Sequence, residues 1–90
     1  MKSPAELHTL KIARQTLKYS IAAARVLGGM SYGRAYRIVF GIGLADRIRD
    51  LQARYTPAAD LSWELGQYGY TPADFPALLA EGEREARDRA

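Results

Sequence analysis

Apolar residues recur along this chain at intervals of three and four, and Gly, Pro, Ser and Thr divide them into blocks. That period predicts helices. The first block begins at Ser3-Pro4-Ala5-Glu6, where Ser can cap, Pro suits the first helical position and Glu completes a capping box. The helical pattern then runs to about Leu27, where Gly28-Gly29 stops it, so a long first helix is expected over 4–27. Projected at about 100° per residue, Lys11, Arg14, Lys18 and Arg25 fall within about 60° of one another. Leu10, Leu17, Ile21 and Ala24 line one flank of this stripe, and Ile12, Tyr19, Ala23 and Val26 line the other. On the opposite side only the small residues Thr9, Thr16 and Ser20 interrupt. Such a helix asks for burial around most of its circumference. It is expected at the centre of the fold, or shared with a second copy.

Shorter blocks follow. Ser31 reads as the cap of a helix over 31–40, with Tyr32, Tyr36, Val39 and Phe40 on an aromatic side and Arg34 and Arg37 together at i, i+3. Gly33 weakens that helix by up to ~1 kcal/mol relative to Ala, so packing must hold it. After a turn at Gly41-Ile42-Gly43, Leu44, Ile48, Leu51 and Tyr55 mark a helix over 44–55, with Asp50 and Arg54 spaced to pair on its outside. A fourth helix is expected over 57–67 from Thr56-Pro57, presenting Leu61, Leu65 and Tyr68, with Trp63 as a core or interface anchor. The last runs over 72–89 from Thr71-Pro72-Ala73-Asp74, or from Phe75 if Pro76 disrupts an earlier start. Its end, Glu83-Arg84-Glu85-Ala86-Arg87-Asp88-Arg89, reads as a solvated helical tail with i, i+4 pairs. No stretch alternates with a period of two, so strands are not expected. The prediction is an all-α single domain of about five helices over residues 1–90.

Composition narrows the chemistry. Ninety residues and 10.0 kDa make one domain with a modest core. With no cysteine there is no disulfide framework, thiolate nucleophile or Cys-based zinc site, and one histidine, His8, is too few for a His-rich metal site. No cofactor or metal is expected. No apolar run approaches the roughly 18 residues of a membrane span, and the start lacks a signal-peptide pattern, so a soluble cytoplasmic protein with no membrane partner is expected. Asp60 and Glu64, one turn apart, read as solvent-facing. His8 lies near only Glu6, on another face, and no glycine run has phosphate-cradle spacing. The chain is therefore read as non-catalytic.

Charge is unevenly placed. The net charge is +3, but residues 1–49 carry nine basic side chains against Glu6 and Asp46, a surplus of +7. Residues 50–90 carry four against eight acids, a deficit of −4. A half this basic points to a polyanionic or acidic partner, or to complementarity between the halves.

The stretch Ala23-Ala24-Arg25-Val26-Leu27-Gly28-Gly29-Met30-Ser31-Tyr32-Gly33-Arg34-Ala35-Tyr36-Arg37-Ile38 resembles a helix-turn-helix motif with one extra glycine in the turn. The resemblance implies that Met30, Ala35 and Ile38 face the core while Ser31, Tyr32, Arg34 and Arg37 face a DNA groove, where arginine reads guanine and binds phosphate. A plain helical hairpin accounts for the same residues without DNA. In texture, Lys11-Ile12-Ala13-Arg14-Gln15-Thr16-Leu17 leading to Leu27-Gly28-Gly29-Met30-Ser31 looks like small proteins of phages and mobile elements. That class includes anti-CRISPR inhibitors, which bind nucleoprotein machinery.

The sequence thus points to a small helical binding protein, a regulator or inhibitor of that kind. Its contact surface would comprise Lys11, Arg14, Lys18, Arg25, Tyr32, Arg34, Tyr36 and Arg37. The expected partner is a nucleoprotein complex, nucleic acid or an acidic protein surface. The apolar flanks of the first helix, with Tyr32, Tyr36 and Trp63, leave room for homodimerisation. Two alternatives stand beside this reading: a helix-turn-helix DNA regulator, and a structural or oligomerisation module whose arginines only solvate the surface.

Overall fold

Local hydrogen bonding sets where the helices begin and end in the computed structural model, which describes residues 3–27, 29–54, 61 and 64–89. Helix α1 spans Pro4–Leu17, and the Ser3 side chain accepts from the Glu6 backbone N–H at 3.2 Å. The expected helix over 4–27 is broken after Leu17. The Thr16 hydroxyl donates back to the Ile12 carbonyl at 2.8 Å, and Lys18 and Tyr19 donate to Gln15 and Thr16 in a tightened last turn. Ser20 then starts a new helix, α2 at Ile21–Leu27, by accepting from the Ala23 N–H at 3.2 Å. Hydroxyl side chains offer the backbone partners that compete with a continuing helix. Thr16 and Ser20, which look like mere interruptions on a helical projection, flank the break.

Helix α3 spans Tyr32–Phe40, and Ser31 caps it as expected, accepting from the Arg34 N–H at 3.2 Å. Gly41 closes α3 in the left-handed region at φ 76°, where its N–H reaches the Arg37 carbonyl at 2.8 Å. Glycine adopts that conformation without steric cost. Helix α4 spans Leu44–Ala53, and its Leu44, Ile48 and Leu51 are buried, as their spacing predicts. Tyr55, which extended that pattern, lies outside the described residues. Of the helix expected over 57–67, Leu61, Glu64 and Leu65 are helical, while 57–60, Ser62 and Trp63 lie outside the described residues. A 3-10 turn at Gly66–Tyr68 follows, then a second at Pro72–Asp74. Asp74 holds the second turn by accepting from the Thr71 N–H at 2.9 Å. Helix α5 then spans Phe75–Arg89, so Pro76 falls in its first turn, where a missing N–H costs little. The fold is all-α, and no strand occurs among the described residues.

Helix α3 holds the centre, against the expectation for the first helix. It packs on α1, α2, α4 and α5. With α1 cut short, its buried residues reduce to Ala13, Thr16 and Leu17. The core joins these to Ala24, Ala35, Tyr36, Leu44, Ile48, Leu51, Leu61, Leu65 and Leu78.

The C-terminal helix also departs from its expected role. Glu85 is 5% exposed, so one side of the tail read as solvated is packed, as is Glu81 one turn earlier at 1%, while Glu83, Arg87 and Asp88 are exposed as expected. Gly33 makes this possible. A Cβ at Gly33 would lie 2.7 Å from the Cβ of Glu85, so only glycine lets α3 and α5 approach this closely. The Gly33 N–H also donates to Glu81 Oε1 at 3.2 Å. The glycine that costs α3 helical propensity gains the contact that holds it.

Candidate binding surface

Six of the eight residues expected to form one contact surface are cationic, and the structure sorts them into different environments. Lys11, Arg14 and Lys18 are all exposed on or just past α1. At about 100° per residue they point well away from Ala13, Thr16 and Leu17, the residues that α1 buries. The first and last are seven positions apart, about 10 Å along the axis. Among the described residues, no acid lies within ion-pair range of these three or of the exposed Arg34. The side chain of Arg25 lies outside the described residues, and the break before α2 removes the single projection that grouped it with α1.

Arg37 differs from its neighbour Arg34. Its Nε lies 3.7 Å from Glu85 Oε1, tying it to a buried carboxylate on α5. The Arg34–Arg37 pair is therefore one cation facing solvent and one engaged within the protein.

Tyr32 and Tyr36 require correction as contact residues. Both are core side chains, 3% and 0% exposed. Tyr36 stacks near Phe40 with ring centroids 4.6 Å apart, and its hydroxyl donates to Glu64 Oε2 at 2.5 Å. Burial, followed by that hydrogen bond and the Glu64 charge, pushes the Tyr36 hydroxyl up from its ordinary value. An aromatic stripe with helical spacing is turned inward because burying a ring is favourable.

Glu64, read from sequence as solvent-facing, is instead a hub. Its Oε1 accepts from the Arg47 guanidinium while Oε2 takes the Tyr36 hydroxyl. Arg47 in turn reaches Asp50 at 3.2 Å, and Arg54 lies 3.4 Å from Asp50 as an ion pair, the i, i+4 pair that the sequence predicts. This network joins α3, α4 and the helical residues around Leu61. It neutralises much of the positive charge of α4.

A cleft of about 400 Å³ opens between the joint of α1 with α2 and the turn before α5. Lys18, Tyr19, Tyr32, Tyr68, Tyr70 and Asp74 are among the residues lining it. Tyr19 is exposed and Tyr68 half-buried, whereas Tyr32 and Tyr70 are set deeper. Burial first, and the Asp74 carboxylate second, push the Tyr32 and Tyr70 hydroxyls up, keeping both neutral and able to donate. The sequence reading missed this cleft, although Tyr68-Gly69-Tyr70 is an aromatic pair around a glycine that adopts φ 93°.

Among the described residues there is no group of three or more His, Cys, Asp or Glu suited to a metal ion, and no helix long and apolar enough to cross a membrane. Comparison with protein-family models, with curated proteins and with solved structures finds no match to this chain.

Proposed function

We propose that this chain is a non-catalytic binding protein that engages nucleic acid, alone or within a nucleoprotein complex, through the basic stripe of α1. One observation carries the reading. Lys11, Arg14 and Lys18 stand exposed in a row with no acid of the described chain to neutralise them, while all three arginines of the α4 region have carboxylate partners. Cations that the fold leaves unpaired on one face attract a polyanion over long range and displace its condensed counterions on contact. Arg34 adds a further cation on α3 that is unpaired among the described residues.

The test is charge reversal on the stripe. Lys11→Glu, Arg14→Glu and Lys18→Glu together should leave the circular dichroism spectrum helical and lower affinity for DNA and RNA. The residual binding should also depend less steeply on salt, by about 0.7 to 0.9 in log-log slope for each phosphate that is no longer neutralised. Unchanged affinity in the triple variant would overturn the proposal and make these side chains solubilising. Equal affinity for every duplex sequence supports backbone recognition. A strong preference for one duplex sequence shifts the reading to the helix-turn-helix alternative.

A further inference from the structure

Resting on that reading, we propose that the tyrosine-lined cleft beside Lys18 receives an unpaired nucleobase, which makes single-stranded nucleic acid the partner class. Four observations converge on it. Lys18 belongs both to the stripe and to the cleft lining, so a backbone held on α1 passes the opening. Tyr19 and Tyr68 supply accessible aromatic rings, and rings stack on any base because every base has a π face. The volume of about 400 Å³ falls in the range of small-molecule sites and far below what a duplex requires. The fourth is an unsatisfied group. Tyr70 is 8% exposed, and its hydroxyl is buried with no hydrogen-bond partner among the described residues. Buried polar groups nearly always have partners, and a shift of the Tyr70 side chain would bring this shielded hydroxyl to the edge of a base, which carries both donors and acceptors.

Charge sets the orientation. Asp74 also lines the cleft, its Oδ2 held by the Thr71 N–H and hydroxyl at 2.9 and 3.3 Å. A carboxylate repels phosphate and accepts from the amino group of a base. Lys18, exposed, attracts phosphate. The base therefore enters the cleft and its phosphate stays on the α1 side. A paired base cannot enter, because its edge is committed within the duplex stack.

Anisotropy titrations would compare a short single-stranded DNA of mixed sequence, the matching RNA, a fully abasic strand of equal length and a duplex. The abasic strand keeps the phosphates and lacks the bases. Single strands with bases should bind tighter than the abasic strand by roughly 5- to 150-fold, the equivalent of stacking one base. Tyr19→Ala with Tyr68→Ala should erase that difference and leave abasic and duplex binding unchanged. Tyr70→Phe removes one oxygen that has no partner, so it should fold normally while weakening single-strand binding and altering base preference. Equal affinity for the strands with and without bases would overturn the cleft proposal and leave the stripe reading intact. Absence of binding to any of the four would overturn the stripe reading. In that event a nucleoside monophosphate, titrated against tyrosine resonances, decides the cleft separately: shifts confined to Tyr19, Tyr32, Tyr68 and Tyr70 support it, and no shift rejects it.

Discussion

Helices α1 and α4 are both amphipathic and both carry basic residues, yet they use charge in opposite ways. Along α4, Arg47 bridges Glu64 and Asp50, Arg49 lies 4.0 Å from Asp46, and Arg54 pairs with Asp50. Its acids are Asp46 and Asp50, from neighbouring turns of α4 itself, and Glu64, from the segment around Leu65. Along α1 the nearest acid in sequence is Glu6, and Lys11, Arg14 and Lys18 follow with no acid between them. The difference shows that net charge over half a chain is a poor guide to where a partner binds. What matters is which cations the fold leaves without a carboxylate, because only those keep their full attraction for an outside anion. The surplus of +7 in residues 1–49 is reduced by Arg37–Glu85 and Arg47–Glu64 across the halves, and it persists on α1.

Substitutions can sharpen or break this contrast. The largest effect is expected from reversing Lys11, Arg14 and Lys18 together: about a hundredfold loss of nucleic-acid affinity at low salt, measured by anisotropy, with little change in melting temperature. A similar loss on reversing Arg49 and Arg54 instead would erase the distinction between the helices. Next comes Gly33→Ala, which drives a Cβ into Glu85 and should destabilise by about 1–3 kcal/mol in urea unfolding. A neutral result there would mean that α5 does not approach α3 closely. Arg47→Ala should cost about 1–2 kcal/mol, because it leaves Glu64 and Tyr36 without their cation in a half-buried setting. By contrast, Lys11→Ala or Arg14→Ala should stay within about 0.5 kcal/mol.

Tyrosine ionisation provides a smaller test of the same divide. Tyr36 and Tyr32, whose hydroxyls are pushed up mainly by burial, bind their protons more tightly folded than unfolded. Their contribution is fully present below the ordinary tyrosine value of 10.0 and is lost as pH rises from there toward the folded values. Stability should therefore fall above pH 10.0, and Tyr36→Phe should make that decline shallower. An unaltered alkaline profile in Tyr36→Phe would mean that this hydroxyl is no more protected than an exposed one.

Much of the fold was legible in the residues themselves. Ser3 and Ser31 cap where their spacing says they should, Gly41 closes α3, and Leu44, Ile48 and Leu51 form one buried face. The break at Lys18–Ser20 was also local, but the apolar flanks of a 4–27 projection outweighed two hydroxyls. Less of the candidate site could be seen. Exposed Lys11, Arg14, Lys18 and Arg34 follow from helical spacing, whereas Tyr32 and Tyr36 look equally able to face a groove or a core. The tyrosine cleft draws on residues from Lys18 to Asp74, and no local pattern joins them.

The division follows from range. Helices, caps and turns are decided by hydrogen bonds between residues three or four apart, so the order of amino acids alone determined an all-α chain and most of its boundaries. Partnerships that decide how the helices pack reach much further: Gly33 meets Glu81 across 48 residues and Tyr36 meets Glu64 across 28. Tertiary packing alone decided that α3 is the central helix, that Glu81 and Glu85 are buried, and that Arg37 meets Glu85 and Arg47 meets Glu64. The other pairs of α4 are local, at i, i+3 and i, i+4. A charge or a ring has the same pattern in sequence whether it faces water or another helix, and its energy differs only once its neighbours in space are known.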